Sequence, residues 1–299
     1  MLDDVVVDVR RLRLLLELSR RGSMREVADA TGLSTSAVSQ HLAALARESG
    51  TDLLEPVGRR VRLTPAGLRL ADHAVTILAA VDAARLDLDP DAEPVGTVRV
   101  GGFATGVRRS LLPVVRELAA THPRVTVTVR EHEPLEAHAL LESDDLDLAL
   151  TYDYDLAPAA VAPTLRLVPL WSTTWGLAVP ADEPVDDAHD LRRWADRPWI
   201  VNSRNTADED AVRILAATAG FSPRLTHFLD SLDLVEDLVE QGLGVGLLPV
   251  DRATRPGVRV LDLAGTGVVL TAYAATRRGR DAWPPLRLVL DRLRASGAA

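Results

Sequence analysis

The feature that most restricts how this chain can fold is a change of hydrophobic rhythm at one acidic, proline-containing stretch, Asp87-Leu-Asp-Pro-Asp-Ala-Glu-Pro94. Before it, apolar residues recur at helical spacing; after it, from Val95, short β-branched runs alternate with helical segments. A single periodicity would build one kind of layer, so the switch predicts different architectures joined by a linker. The length of 299 residues suits two or three compact units.

In the front segment Val9, Leu12 and Leu16 predict a first helix ending near Arg21-Gly22. Ser23-Met-Arg-Glu26 matches a capping box, so a second helix starts at Met24 and stops at Thr31-Gly32. Ser34 can cap a third helix from Thr35 to about Arg47, with Val38, Leu42 and Leu45 inward. Two short helices across a glycine turn, the second opening with small polar residues, form the helix-turn-helix pattern. Thr35, Ser36, Ser39 and Gln40 are candidates to reach base edges, and Ser34 suits a phosphate. Taken locally, an ordinary capped helical hairpin fits these residues too.

The next segment favours the first alternative. Leu53 to Thr64 reads as two short strands around Gly58, with Arg59, Arg60 and Arg62 at the tip and return strand. A basic hairpin directly after such a helix is placed to neutralise phosphates as a wing. The charge distribution agrees: residues 1–64 carry 10 Arg against 9 Asp and Glu, whereas 65–299 carry 24 Arg against 34 acids. Duplex contact is therefore expected only at the front. Gly22-Ser23-Met24, Val27-Ala28, Leu33-Ser34, Ala37-Val38-Ser39, Leu45 and Gly58 through Gly67 together resemble the LysR-type transcriptional regulators. Pro56, Leu54 and Thr35-Ser36 depart from that family's usual residues, which bears on individual base contacts.

Thr64-Pro65 starts a long helix in which Leu70, Ala74, Ile77, Val81, Ala84 and Leu88 repeat in steps of four and three. Such a seam suits pairing with a second copy, or packing on the chain's own domain. Pairing would double the interface, since one recognition helix reads only a half-site. The LysR-type resemblance implies a homo-oligomer, dimer or tetramer, on an imperfect palindromic operator in double-stranded DNA.

Beyond the linker, strands are expected at 95–100, 125–129, 146–150, 175–179, 199–201, 225–228, 244–248 and 268–275. Helices are expected near 109–120, 135–142, 207–219, 232–241 and 285–295, giving βαβ wiring around mostly parallel sheets in two lobes. Gly101-Gly-Phe-Ala-Thr-Gly106 with Leu111-Leu-Pro113, Leu146-Asp-Leu-Ala-Leu150, and Val239 through Pro249 resemble the LysR-type effector domain. The resemblance implies an α/β fold like the type II periplasmic binding proteins. It divides the chain into a winged helix-turn-helix (1–64), a linker helix (65–90) and an effector domain (91–299). Lobe I is then 91–164 with 270–299, and lobe II 165–269. Ligands bind outside the carboxyl ends of such strands. The candidates there are Thr105, Gly106, His132, Thr151, Tyr152, Asn202, Ser203, Arg204, Phe228 and Ser231, with Arg204 able to hold a carboxylate. A polar or anionic small-molecule effector is expected.

Composition excludes several chemistries. There is no cysteine, and every one of the 34 basic residues is arginine, so thiol chemistry and lysine Schiff bases are absent. Gly101–Gly106 lacks the Gly-Lys-Ser/Thr ending of a phosphate loop, and Gly242-Leu-Gly-Val-Gly246 follows a helix, the wrong order for a dinucleotide fingerprint. His132 and His138 are badly spaced for a metal. No cofactor, metal or catalytic residue is expected, and the acidic start and lack of a spanning apolar run point to the cytoplasm. The rival reading is a cytoplasmic small-molecule-binding protein or enzyme whose N-terminal helices form an arm without DNA affinity.

Overall fold

Side-chain caps set the register of the front helices. Asp8 accepts from the amide of Arg10 at 2.7 Å and opens α1 (Val9–Arg21), which ends at Gly22 with φ 69°. Ser23 accepts from Glu26 N to start α2 (Met24–Thr31), and Ser34 accepts from Ala37 N at 3.2 Å to start α3 (Thr35–Glu48). Leu12, Leu15, Val27, Val38, Leu42 and Leu45 are buried together, so the two short helices are held by a shared core as well as by their caps. The computed structural model describes residues 7–57, 60–89, 92–185, 190–204, 206–263 and 268–297.

β1 (Leu54–Val57) and β2 (Arg60–Leu63) form the expected antiparallel hairpin, with Leu54 opposite Leu63. Thr64 then accepts from Gly67 N at 3.0 Å and starts α4 (Pro65–Leu88). Gly67 lies so close to the chain entering the wing that a Cβ there would sit 2.2 Å from the Leu53 carbonyl oxygen. α4 buries Ala71, Ala74, Val75 and Leu78 in the core it shares with α1. Of the six seam residues, Ala74 is spent on that contact, whereas Ile77, Ala84 and Leu88 face solvent.

The C-terminal unit runs β3 (Gly96–Gly102), α5 (Ala104–Gly106), a π-helical turn (Val107–Leu111), α6 (Leu112–Thr121), β4 (Val125–Glu131), α7 (Pro134–Glu142) and β5 (Leu148–Tyr154). It continues through β6 (Leu165–Pro180), β7 (Pro198–Val201), α8 (Thr206–Thr218), β8 (Arg224–Phe228), α9 (Leu232–Glu240) and β9 (Val245–Pro249). β10 (Val258–Leu261), β11 (Val269–Arg277) and α10 (Pro284–Gly297) complete it.

The strand order is β4-β3-β5-β11-β6-β9-β7-β8, with β10 on β6. β3 is parallel to β4 and β5, and β7 to β8 and β9, as βαβ connections require. β6 and β11 instead cross between the lobes and pair antiparallel, so the sheet is mixed rather than mostly parallel. The expected boundary at 165 falls at the start of β6, whose first part pairs with β11 while Trp175–Ala178 pairs with β9. The pairing of β6 with β11 slips at one place: Ala272 faces Trp171 but Tyr273 faces Pro169, leaving Leu170 as a bulge. β10 and residues 165–174 of β6 were not expected as strand.

Two ion-pair clusters fasten this frame. Buried Asp147 accepts from Arg99 Nε and Nη2, each at 3.0 Å, and from Arg280 Nη2 at 2.9 Å. Arg20 of α1 donates to Asp144 at 2.5 Å, and Arg277 to Asp72 of α4 at 2.6 Å, tying the front helices to the C-terminal unit. Among the described residues no helix is long and apolar enough to cross a membrane.

Candidate functional site

The first candidate surface is the start of α3 with the adjoining hairpin. Ser34, Thr35, Ser36, Ser39 and Gln40 are all exposed. Ser34 Oγ lies 2.9 Å from Ser36 Oγ while capping the helix, so the two hydroxyls share one edge of the helix start. Unused amides at a helix N-terminus suit phosphate oxygens, and short hydroxyl and amide side chains one turn on can meet base edges. Arg62 on β2 is exposed and donates to Glu55 from Nε (2.9 Å) and Nη2 (2.5 Å). An exposed pair of this kind contributes little to stability, and phosphate can replace its carboxylate at small cost. Arg59 and the side chain of Arg60 lie outside the described residues.

The second candidate is a cleft of about 320 Å³ between the two halves of the C-terminal unit. Phe103, Tyr152, Trp171 and Trp175 line it. Phe103 and Tyr152 meet edge to face with centroids 4.8 Å apart. Aromatic residues make up only 4% of the chain, yet two of its five tryptophans stand in this wall.

Contacts between the halves cross the cleft. Tyr152 Oη on β5 is 2.9 Å from Glu133 Oε2 and 2.9 Å from Asp208 Oδ2 on α8. Tyr154 Oη donates to Asp208 Oδ1 at 2.6 Å. Arg204 donates to Asp230 at 2.6 Å and reaches Glu136 (3.5 Å) and Glu131 (3.7 Å) in the other half.

The ten residues expected at the cleft divide in two. Thr105, Tyr152, Asn202, Arg204 and Ser231 line it. Gly106 is buried behind Phe103, and His132 meets Glu136 at 3.4 Å outside the lining. Thr151 is 1% exposed and borders a separate cavity, Ser203 is bound to Asp230 at 2.5 Å, and Phe228 lies half exposed on β8. Arg204, the candidate for holding a carboxylate, has its guanidinium already engaged by three carboxylates. Sequence reasoning missed Glu133, Asp208, Trp171 and Trp175. The clustering of scarce aromatics after position 170 was a usable signal for the last two; the acid pair had none.

Burial sets the charge state here. Glu133 is 3% exposed, and its loss of solvation, reinforced by Asp208 and Asp230, pushes its pKa up to about 7 against the pull of Tyr152 and Arg204. Asp208 is raised by burial despite its two tyrosine bonds. Burial alone would raise Asp230, but its bonds from Ser203 and Arg204 hold it below the ordinary range. A raised carboxyl stabilises the fold while protonated, and that contribution is lost as pH climbs through the raised value. Between pH 6 and pH 8 the Glu133 effect comes to about 1.4 kcal/mol. Thermal melts should therefore drop by roughly 3–5 °C over that range relative to Glu133→Gln, which removes the titration. Parallel pH profiles of the two proteins would contradict this.

Among the described residues no cluster of three His, Asp or Glu side chains could hold a metal. A family model described as LysR substrate binding domain matches residues 91–298, and one described as bacterial regulatory helix-turn-helix protein, lysR family, matches residues 9–68. A probable hydrogen peroxide-inducible genes activator of Mycobacterium avium is 28% identical over 273 residues, covering 90% of this chain and 84% of its own length. The transcriptional dual regulator GltC of Bacillus subtilis is 28% identical over 250 residues, 81% of each chain. Full-length OxyR from Pseudomonas aeruginosa, solved as a cysteine-to-aspartate variant, shares the fold with a TM-score of 0.71 at 19% identity, over 97% of this chain and 98% of that one.

Proposed function

The chain belongs to the LysR family of bacterial transcriptional regulators, and from that premise we propose how its parts divide the work. Residues 1–64 read an imperfect palindromic operator in the cytoplasm, 65–90 pair two copies, and 91–299 bind a polar small molecule between the lobes. Thr35, Ser36, Ser39 and Gln40 meet base edges, while Ser34, Arg59, Arg60 and Arg62 hold phosphates. The observation that carries this reading is the exposed polar start of α3 beside an arginine hairpin, in a segment where basic and acidic residues nearly balance although the chain carries a formal charge of -9.

The cleft acts as a sensor. Its ligand shifts the balance between lobe arrangements only through different affinities for them, and the bridges from Tyr152, Tyr154 and Arg204 across the cleft are what such a ligand would rearrange. No turnover is assigned to it; thiol and lysine nucleophiles in particular are absent from the chain, which has no cysteine and no lysine. For the same reason it does not read an oxidant through a thiol, although a relative is named as a peroxide-inducible activator.

The test is binding to the intergenic DNA upstream of the protein's own gene, followed by gel shift at several salt concentrations. Ser36→Ala should change preference among operator variants by about 1–3 kcal/mol. Arg62→Ala should weaken all duplexes alike and reduce the salt slope by about one. Failure to bind any duplex at low salt, or identical losses for both variants on every sequence, would remove the helix assignment.

A further inference from the structure

The hydrogen bonds across the cleft do not close with the protons that its phenols supply. Three short O···O contacts join Glu133, Tyr152, Asp208 and Tyr154, at 2.9, 2.9 and 2.6 Å. Each needs a hydrogen between its oxygens, and ionised carboxylates only accept. Tyr154 supplies its own contact with Asp208. Tyr152 carries a single proton, which cannot lie on the lines to both Glu133 and Asp208. A third proton is therefore required on one of the two carboxyls. Asp208 already accepts from Tyr154, which favours its ionised form, so the proton falls to Glu133, which then donates to Tyr152 while Tyr152 donates to Asp208. The bridge between the lobes thus holds one positive charge in excess of what its groups carry when ionised.

The surroundings select the same sign. Five carboxylates line the cleft, Glu131, Glu133, Asp208, Asp230 and Asp233. Against them stand Arg108, Arg204 and Arg252, of which Arg204 is bound to Asp230, and Arg252 to Asp233 and Glu236. Facing Glu133 are Tyr152 from β5, Asp208 from α8, Arg204 and Asp230 from lobe II loops, and Glu136 from its own helix. The same wall holds the indole N–H of Trp175, a residue 7% exposed, buried with no acceptor among the described residues. A buried donor left in this condition is costly unless a ligand atom meets it.

We propose that the effector is an organic amine whose ammonium group replaces the Glu133 proton, parting the 2.9 Å Glu133–Tyr152 contact to donate to Glu133, Asp208 and Tyr152. An ammonium offers three donors and no acceptor, which matches two carboxylates and a phenol oxygen. Its body lies against Phe103, Tyr152 and Trp171, where ring faces also favour a cation, and carries an acceptor for Trp175. This rests on the sensory reading of the cleft and replaces the expectation of an anion. Because one charge substitutes for the other, binding expels a proton.

The probe is 2-phenoxyethylamine, with 3-phenoxypropanoate as its carboxylate twin, titrated calorimetrically into the full-length protein. The amine should bind about tenfold more tightly at pH 8 than at pH 6, since Glu133 must ionise first. At pH 7, titrations in buffers of different ionisation enthalpy should show about half a proton released per amine. Glu133→Gln, whose amide can still donate to Tyr152, should lose at least about tenfold in amine affinity and all of the pH dependence. The proton count needs only the wild-type protein, so it decides the matter even if that variant does not fold. No amine binding, equal or tighter binding of the carboxylate, or binding without proton release overturns the proposal. A carboxylate that binds while the amine does not would leave the sensor reading intact and sink only the ammonium. Loss of operator binding, measured separately, would sink the regulator reading whatever the calorimetry shows.

Discussion

Asp147→Asn should cost the C-terminal unit about 3–5 kcal/mol, because it strips a buried cation of its partner. The Asp147 side chain is 1% exposed and that of Arg280 9%, and the guanidinium of Arg280 lies 4.2 Å from the Trp283 ring centroid with little access to water. Asp147 also accepts from the backbone and side chain of Arg99, so its loss leaves two guanidinium groups facing each other. Burial alone would raise the Asp147 carboxyl, but its arginine bonds hold it below the usual range, so its contribution is present at neutral pH and fades as acid protonates it. A fall in melting temperature of about 10 °C is expected. Adding Arg280→Met should restore part of the loss, since the stranded charge goes with it. A single variant that melts within a degree or two of the wild type would show that the cluster holds no such strain.

The second large effect belongs to α4. Ile77 and Ala84 stand seven residues apart and both face solvent, while the opposite stripe of the helix is committed to α1. Ile77→Asp with Ala84→Asp should leave the single chain folded, because neither side chain is part of its core. It should yield monomers by light scattering and lower operator affinity by about 10²–10⁴-fold, the advantage that linked half-sites confer. Dimers that persist at micromolar concentration would move the pairing surface elsewhere.

The parts of the fold that were legible in advance are those set by neighbours in sequence. Ser23, Ser34 and Thr64 each cap the helix that follows within three residues, and the two strands of the hairpin pair as expected, Val57 opposite Arg60. Of the two crossing strands β11 was legible, but the first part of β6 was not, because residues 165–174 mix buried and exposed positions and only the apolar end, Trp175–Val179, read as strand. The cleft was legible as a place but not as a chemistry. Glu133 and Asp208 come from opposite lobes and meet only through Tyr152. Arg204 read as a free cation because its partners Glu131, Glu136 and Asp230 lie far from it in the chain. Phe228 failed for a local reason: β8 is an edge strand with alternating exposure, and a shift of one residue changes the face a side chain takes.

The slip at Leu170 bears on what kind of signal the protein can send. Two adjacent strands laced to each other behave like a leaf spring with one thinned spot. Flexing across the sheet at that spot would keep the ladder on either side, whereas shear along the strands or rotation about them would break it. Ligands of different bulk would then set different degrees of one tilt instead of selecting unrelated poses. The output at the promoter would be graded, a dial more than a latch.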